Sequence, residues 1–233
     1  MTTIAENMVV VKRRIEAAAM RTGRDPLLIK LVAVGKTKTI EDIAEAVRAG
    51  QMCFGENYAQ ELREKQQALS VVSDQLPVQL EWHFIGHLQK NKAKIIAPIV
   101  SWVESVGSLE LAQELEKRAS HPINCLIEVN IGSEDAKSGV SVSEIQNFVR
   151  GFNDFKNLKL KGLMIIPPYD PDPEKSRPHF RKLRELLMQL NDSQIYPEPL
   201  TELSMGMSHD FEVAIEEGAT IIRVGTAIFG ERK

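Results

Sequence analysis

Apolar residues along this chain alternate between short β-branched runs and longer stretches with helical spacing. LIKLVAVGK (28–36) reads as a buried strand. TIEDIAEAVRAG (39–50) reads as a helix, because Ile40, Ile43, Ala44 and Val47 recur at helical spacing and Gly50 is a natural stop. The same alternation predicts strands over 51–57, 81–86, 101–105, 123–131, 158–166, 200–205 and 220–225. Helices are predicted over 58–69, 90–96, 108–120, 141–152, 174–190 and 208–218, with Ser108 and Ser208 as N-caps and Pro98 as a terminator. A long helix over 4–21 precedes the first strand.

Eight strand and helix units over 233 residues average about 29 residues each, the size of one βα repeat. One (β/α)8 barrel, an α/β fold, therefore accounts for the chain as a single domain over 1–233, with 1–27 as N-terminal helix and lead-in and 28–233 as barrel. The alternative, an open doubly wound sheet, lacks a glycine-rich fingerprint after its first strand, since VGKTKTIED holds one glycine. The loop over 166–178 holds five of the eleven prolines and in a barrel would lie on the functional rim.

Composition narrows the function classes. With 43% hydrophobic and 26% charged residues the chain is not of the disordered type. A net charge of −3 gives no general attraction to nucleic acid, and Lys90, Lys92 and Lys94 read as a solvated helix face. No run nears the roughly 18 apolar residues of a membrane span, and Lys12, Arg13 and Arg14 follow the first apolar patch, the wrong order for a secretory signal. A cytoplasmic protein without membrane or nucleic-acid partners is expected. Cys53 and Cys125 read as buried free thiols. His83 and His87 have no evident third ligand, so no metal site is expected.

Candidate chemistry gathers at strand ends. Lys36 closes the first strand; held inward, beside Lys38, it would favour the neutral amine that a Schiff-base lysine needs, and held outward it is a solvated strand-end residue. Arg223 lies within a run of branched apolar residues and needs either an acceptor or a salt bridge to an outer helix. Gly225 and Thr226 follow it, where barrels often bind phosphate, and LSMGMSHD (203–210) supplies a matching loop through Gly206 and Ser208. Asn57 ends the second strand and could reach the same rim.

VGKTK (34–38), FGENYAQE (54–61), EWHFIGHLQKNK (81–92), VNIGSEDAKSG (129–139), GLMIIP (162–167), LSMGMSHD (203–210) and RVGTAIFGER (223–232) together resemble the YggS/PROSC family of pyridoxal phosphate homeostasis proteins, over essentially the whole chain. That resemblance implies the barrel of bacterial alanine racemase, with pyridoxal 5'-phosphate as cofactor and Lys36 forming its aldimine. It further implies Arg223 at the pyridine nitrogen, and Ser208, Gly225 and Thr226 at the phosphate with help from Ser204 or the amides around Gly206. Lys137 would lie near the phenolic oxygen, and Asn57, His83 and Met164 near the ring. Gly35 stands where the family more often has serine, and the chain ends at Glu231, Arg232 and Lys233 without the family's usual aromatic residue.

An arginine at the pyridine nitrogen weakens the ring as an electron sink. Two-base racemisation also needs a second proton carrier, and none of Tyr58, Tyr169 and Tyr196 can be assigned that role from sequence. Ending after the eighth strand, the chain has no stretch for the additional domain of the racemases, so a monomeric cofactor carrier is expected, with transient contact to apoenzymes. A weak amino-acid racemase or other fold-type III enzyme is the alternative. A phosphate-binding barrel using Lys36 as a Schiff-base lysine for sugar phosphates is a third reading.

Overall fold

The computed structural model describes residues 2–72, 79–131 and 139–231. Eight parallel strands close a barrel: β1 (Lys30–Val34), β2 (Cys53–Glu56), β3 (Glu81–Phe84), β4 (Trp102–Val106), β5 (Ile123–Asn130), β6 (Leu158–Met164), β7 (Glu202–Ser204) and β8 (Ile221–Val224). Each pairs with the next, and β8 closes on β1 with Lys30 opposite Ile221 and Val32 opposite Arg223. Bulges interrupt the register between β4 and β5 and between β5 and β6.

The helices are α1 (Ile4–Arg21), α2 (Ile40–Arg48), α3 (Ala59–Val72), α4 (Ala93–Ile96), α5 (Leu109–Arg118), α6 (Ile145–Gly151), α7 (Arg177–Asp192), α8 (Phe211–Glu216) and α9 (Thr226–Phe229). Period-two alternation on the strands splits the core. Leu31, Phe54, Ile127 and Ile222 face the helices, whereas Val32, Trp102, Leu126, Met164 and Ile221 pack inside the barrel. Helix α1 begins with a capping box, Thr3 accepting from the Glu6 amide at 3.1 Å and Glu6 from the Thr3 amide at 2.8 Å. Its buried stripe, Met8, Val11, Ile15, Ala18 and Ala19, lies on α2, α8 and α9.

Several element ends differ from the sequence expectation. Residues 28 and 29 are not strand: Pro26–Leu28 forms a 3-10 turn capped by Asp25, leaving Leu27 and Leu28 exposed. The helix expected from 141 begins at Ile145, because Val140–Ser141 adds a two-residue strand beside β5. Ser208 is not the cap of α8, which starts after Asp210; Asp210 instead accepts from the Met207 amide at 2.7 Å and from the Ser176 hydroxyl at 2.9 Å. No described helix is long and apolar enough to cross a membrane.

Candidate functional site

Lys36 lies just past β1 in a tight turn closed by the Lys38 amide on the Gly35 carbonyl at 2.9 Å. The next residue, Thr37, has φ +65°, a left-handed conformation that costs a non-glycine residue roughly 1–2 kcal/mol. Helix α3 supports it. Glu61 accepts from the Thr37 amide at 2.6 Å, and the buried Lys65 ammonium donates to the Gly35 carbonyl (2.6 Å), Glu61 (2.7 Å) and Glu56 (2.8 Å). A Cβ built at Gly35 would meet Glu56 Oε1 and Ile43 Cδ1 at 2.7 Å, so the space a larger residue needs there is filled.

Above the strand ends is a cavity of about 460 Å3 lined by Lys36, Asn57, Arg223, Ser208, Gly225 and Thr226, and also by Ile166, Tyr169 and His209. Asn57 is placed by Gly86, whose Cβ would lie 2.3 Å from the Asn57 carbonyl. Its Oδ1 is buried without a hydrogen-bond partner among the described residues. Ser208 Oγ accepts from the amides of Gly225 at 3.2 Å and Ala227 at 3.3 Å. Two amide donors at the start of α9 therefore converge on one hydroxyl oxygen, which a phosphate oxygen, a stronger acceptor, suits better.

Arg223, on β8 and 3% exposed, donates to Ser204 Oγ and to the Ile165 carbonyl at 2.8 Å. Ser204 donates onward to Glu104 at 2.5 Å, the other Glu104 oxygen meets His83 Nδ1 at 2.5 Å, and His83 Nε2 meets Glu81 at 2.8 Å. Lys30, 2.6 Å from Glu81, ends this chain at the opposite mouth of the barrel. Burial pushes the Glu104 carboxyl up, but His83, Arg223 and Ser204 together hold it below the ordinary value. Burial also lowers the Arg223 pKa, and Glu104 opposes that.

These positions sort the sequence candidates. Lys36, Asn57, Ser208, Arg223, Gly225 and Thr226 share the cavity. Ser204 lies beneath it as a support for Arg223, and Met164 is in the inner apolar layer. His83 is wholly buried in the barrel interior, away from the rim. Gly206 shapes the turn instead of lining the cavity: its φ is +92°, and a Cβ there would lie 2.5 Å from that of Ala214. Lys137 lies outside the described residues. Lys38 is committed elsewhere, its ammonium donating to the carbonyls of Phe229, Gly230 and Glu231 at 3.0–3.1 Å.

Sequence reading missed Glu56, Glu61, Lys65 and Glu104. The i, i+4 spacing of Glu61 and Lys65 is visible as a helical ion pair, but their targets at Gly35 and Thr37 are contacts between elements. Of the tyrosines, Tyr169 lines the cavity, with its ring 5.0 Å from that of His209. Tyr196 instead accepts from the Leu160 amide, and Tyr58 is exposed.

The family model for the N-terminal domain of alanine racemase matches residues 3–233. The pyridoxal phosphate homeostasis protein of Aquifex aeolicus is 45% identical over 231 residues, covering 98% of both chains. Its counterpart from Pseudomonas aeruginosa is also 45% identical, covering 100% of this chain and 97% of that one. A solved structure of PipY from Synechococcus elongatus with PLP bound superposes with a TM-score of 0.83 at 32% identity, covering 98% of this chain and 100% of that one.

Proposed function

This chain belongs to the family of pyridoxal phosphate homeostasis proteins, built on the alanine racemase N-terminal domain, and on that premise we propose that it holds pyridoxal 5'-phosphate reversibly through Lys36 and releases it to other proteins. One observation carries this reading: a lysine, a buried arginine and a serine that gathers two backbone amides line one cavity with Asn57, whose Oδ1 has no hydrogen-bond partner among the described residues. When bound, the cofactor supplies an aldehyde able to condense with an amine, water being the leaving group.

The residues divide the work. Lys36 Nζ would be the amine that holds the aldehyde, in a turn that α3 supports. Ser208 would yield the Gly225 and Ala227 amides to the phosphate and add its own hydroxyl, with Thr226 beside them in the cavity. Arg223 would offer N–H groups to the ring nitrogen, its guanidinium fixed by Ser204, Glu104 and the Ile165 carbonyl. A guanidinium only donates hydrogen bonds and carries a positive charge, so beside that nitrogen it would disfavour protonation of the ring and make it a poor electron sink. Asn57 Oδ1 is an acceptor for a ring substituent. The chain acts as a cytoplasmic monomer, in transient contact with apoenzymes.

A visible spectrum of the purified protein, followed by borohydride reduction and peptide mapping, tests the assignment. A pyridoxyl label on Lys36, absent from Lys36→Ala, is expected; a label on another lysine overturns it. Tyr169 favours a second reading, a weak amino-acid racemase, because it brings a phenol into the cavity that holds Lys36. Solvent-deuterium exchange at the α-carbon of added amino acids, lost in both Lys36→Ala and Tyr169→Phe, would establish turnover and displace the carrier reading.

A further inference from the structure

The polar chain that leaves Arg223 ends in a cluster at the N-terminal mouth of the barrel, away from the cofactor cavity. Cys53 Sγ, Glu81 Oε1 and His83 Nε2 all lie within 4.8 Å of one another. The sulfur is 3.6 Å and the imidazole nitrogen 2.8 Å from the Glu81 oxygen. The fold dictates this meeting: Cys53 and Glu81 are register partners on adjacent parallel strands, and His83, two residues on, shares their inward face. Sequence spacing showed no third ligand because Cys53 arrives from another strand.

The imidazole is fixed as metal-ligating histidines usually are. Its Nδ1 bonds the wholly buried Glu104 at 2.5 Å, and its ring stacks on Trp102 with centroids 5.3 Å apart and planes 9° apart. Carboxylate anchoring of one nitrogen aims the other outward, here toward Cys53 and Glu81.

We propose that Cys53, Glu81 and His83 form a binding site for a divalent cation of the zinc class, with water completing a tetrahedron. Thiolate, imidazole and carboxylate are the donor set such an ion prefers over magnesium or calcium. Bond lengths of about 2.0–2.3 Å to N, O and S ligands place tetrahedral ligand atoms roughly 3.3–3.8 Å apart. The sulfur and oxygen already satisfy this, and Glu81, at the mouth with 36% of its side chain exposed, has room to withdraw from His83.

Lys30 competes for the position. Its ammonium lies 2.6 Å from Glu81 Oε1 and 4.8 Å above the Trp102 ring. With 35% of its side chain exposed it can swing to solvent when an ion enters. The thiol proton, and any proton on His83 Nε2, pass to the buffer on binding. Thiolate and carboxylate then supply two negative charges, which the ion balances.

The test uses the tag-free full chain, with and without pyridoxal phosphate, so its outcome is separable from the cofactor assignment. Zinc is titrated against a chromophoric chelator, and cobalt(II) reports geometry through its visible spectrum. One ion per chain is expected, with tetrahedral d–d bands and a thiolate-to-cobalt charge-transfer band. Cys53→Ser should remove that band, Glu104→Gln should weaken binding about 10–100-fold as loss of an outer anchor does, and Lys30→Met should tighten it. Cys125→Ser, whose side chain packs in the outer core between strands and helices, should change nothing. Absent binding, equal affinity in Cys53→Ser, or no tightening in Lys30→Met overturns the proposal and leaves the cluster as a lysine-neutralised ion pair.

Discussion

Burial behind the helix layer pushes the Glu56 carboxyl up to about 7, against the opposing pull of Lys65. Between its ordinary value near 4.5 and about 7, the folded chain keeps a proton that the unfolded chain has released. Glu56 therefore makes stability fall as pH rises through that window and level off above it, by an amount on the order of 3 kcal/mol. Glu56→Gln, neutral throughout, should remove this fall, as read by urea denaturation at about pH 5 and about pH 8; an unchanged slope would assign it to another group. Glu81 acts in the opposite sense. Hydrogen bonding to His83 holds its carboxyl down to about 2, so its contribution is present above the unfolded value near 4.5 and is lost progressively as pH falls from there to about 2. Neither behaviour could be read from sequence. FGEN names the glutamate, but its pKa depends on Lys65 and on burial that the barrel creates.

The α3 clamp is the element-scale feature that decides the site. Strand β1 delivers Lys36 to the rim, and Glu61 and Lys65 bind the turn in which Thr37 takes its left-handed conformation. Lys65→Met strips the Gly35 carbonyl and Glu61 of their donor and lets the buried Glu56 take a proton, which should cost about 1–3 kcal/mol in denaturation. It should also lower borohydride labelling of Lys36 in the surviving folded fraction; full labelling would show that the turn holds without the clamp. The strand and helix alternation was legible because period two and period 3.6 are local properties. Element ends were less so: 28–29 yielded to a proline-initiated 3-10 turn, and α8 starts later than Ser208 because Asp210 caps the loop while Ser208 turns toward α9.

At the scale of the molecule, distant parts of the chain hold the proposed phosphate cradle together. Asn7 Nδ2 on α1 donates to the Ile228 carbonyl of α9 at 2.8 Å, and Lys38 gathers the three carbonyls that follow. Salt bridges of 2.6–2.7 Å from Arg14 to Glu212 and from Arg21 to Glu216 dock α1 onto α8. Met8 is 1% exposed beneath this helix, so Met8→Ala should lower stability by about 2–5 kcal/mol. Because α9 rests on α1, the same variant should bind pyridoxal phosphate more weakly, and added cofactor should recover part of the lost melting temperature by mass action. Lost stability with unchanged cofactor affinity would separate the two.

By itself the sequence determined the barrel, the order of its units, and the lysine, arginine and loop residues that mark the family, because repeat length, alternation and short motifs are carried by neighbouring residues. It also showed that Arg223 needs either an acceptor or a salt bridge to an outer helix. Only the tertiary structure decided which: Ser204, with Glu104 behind it, a pairing across the barrel between residues a hundred positions apart. The same closure sets His83 and Met164 inside the barrel and Gly206 in a left-handed turn. Which side chain faces a cavity depends on where a strand stops and what packs beside it, and both are set by closure of the sheet.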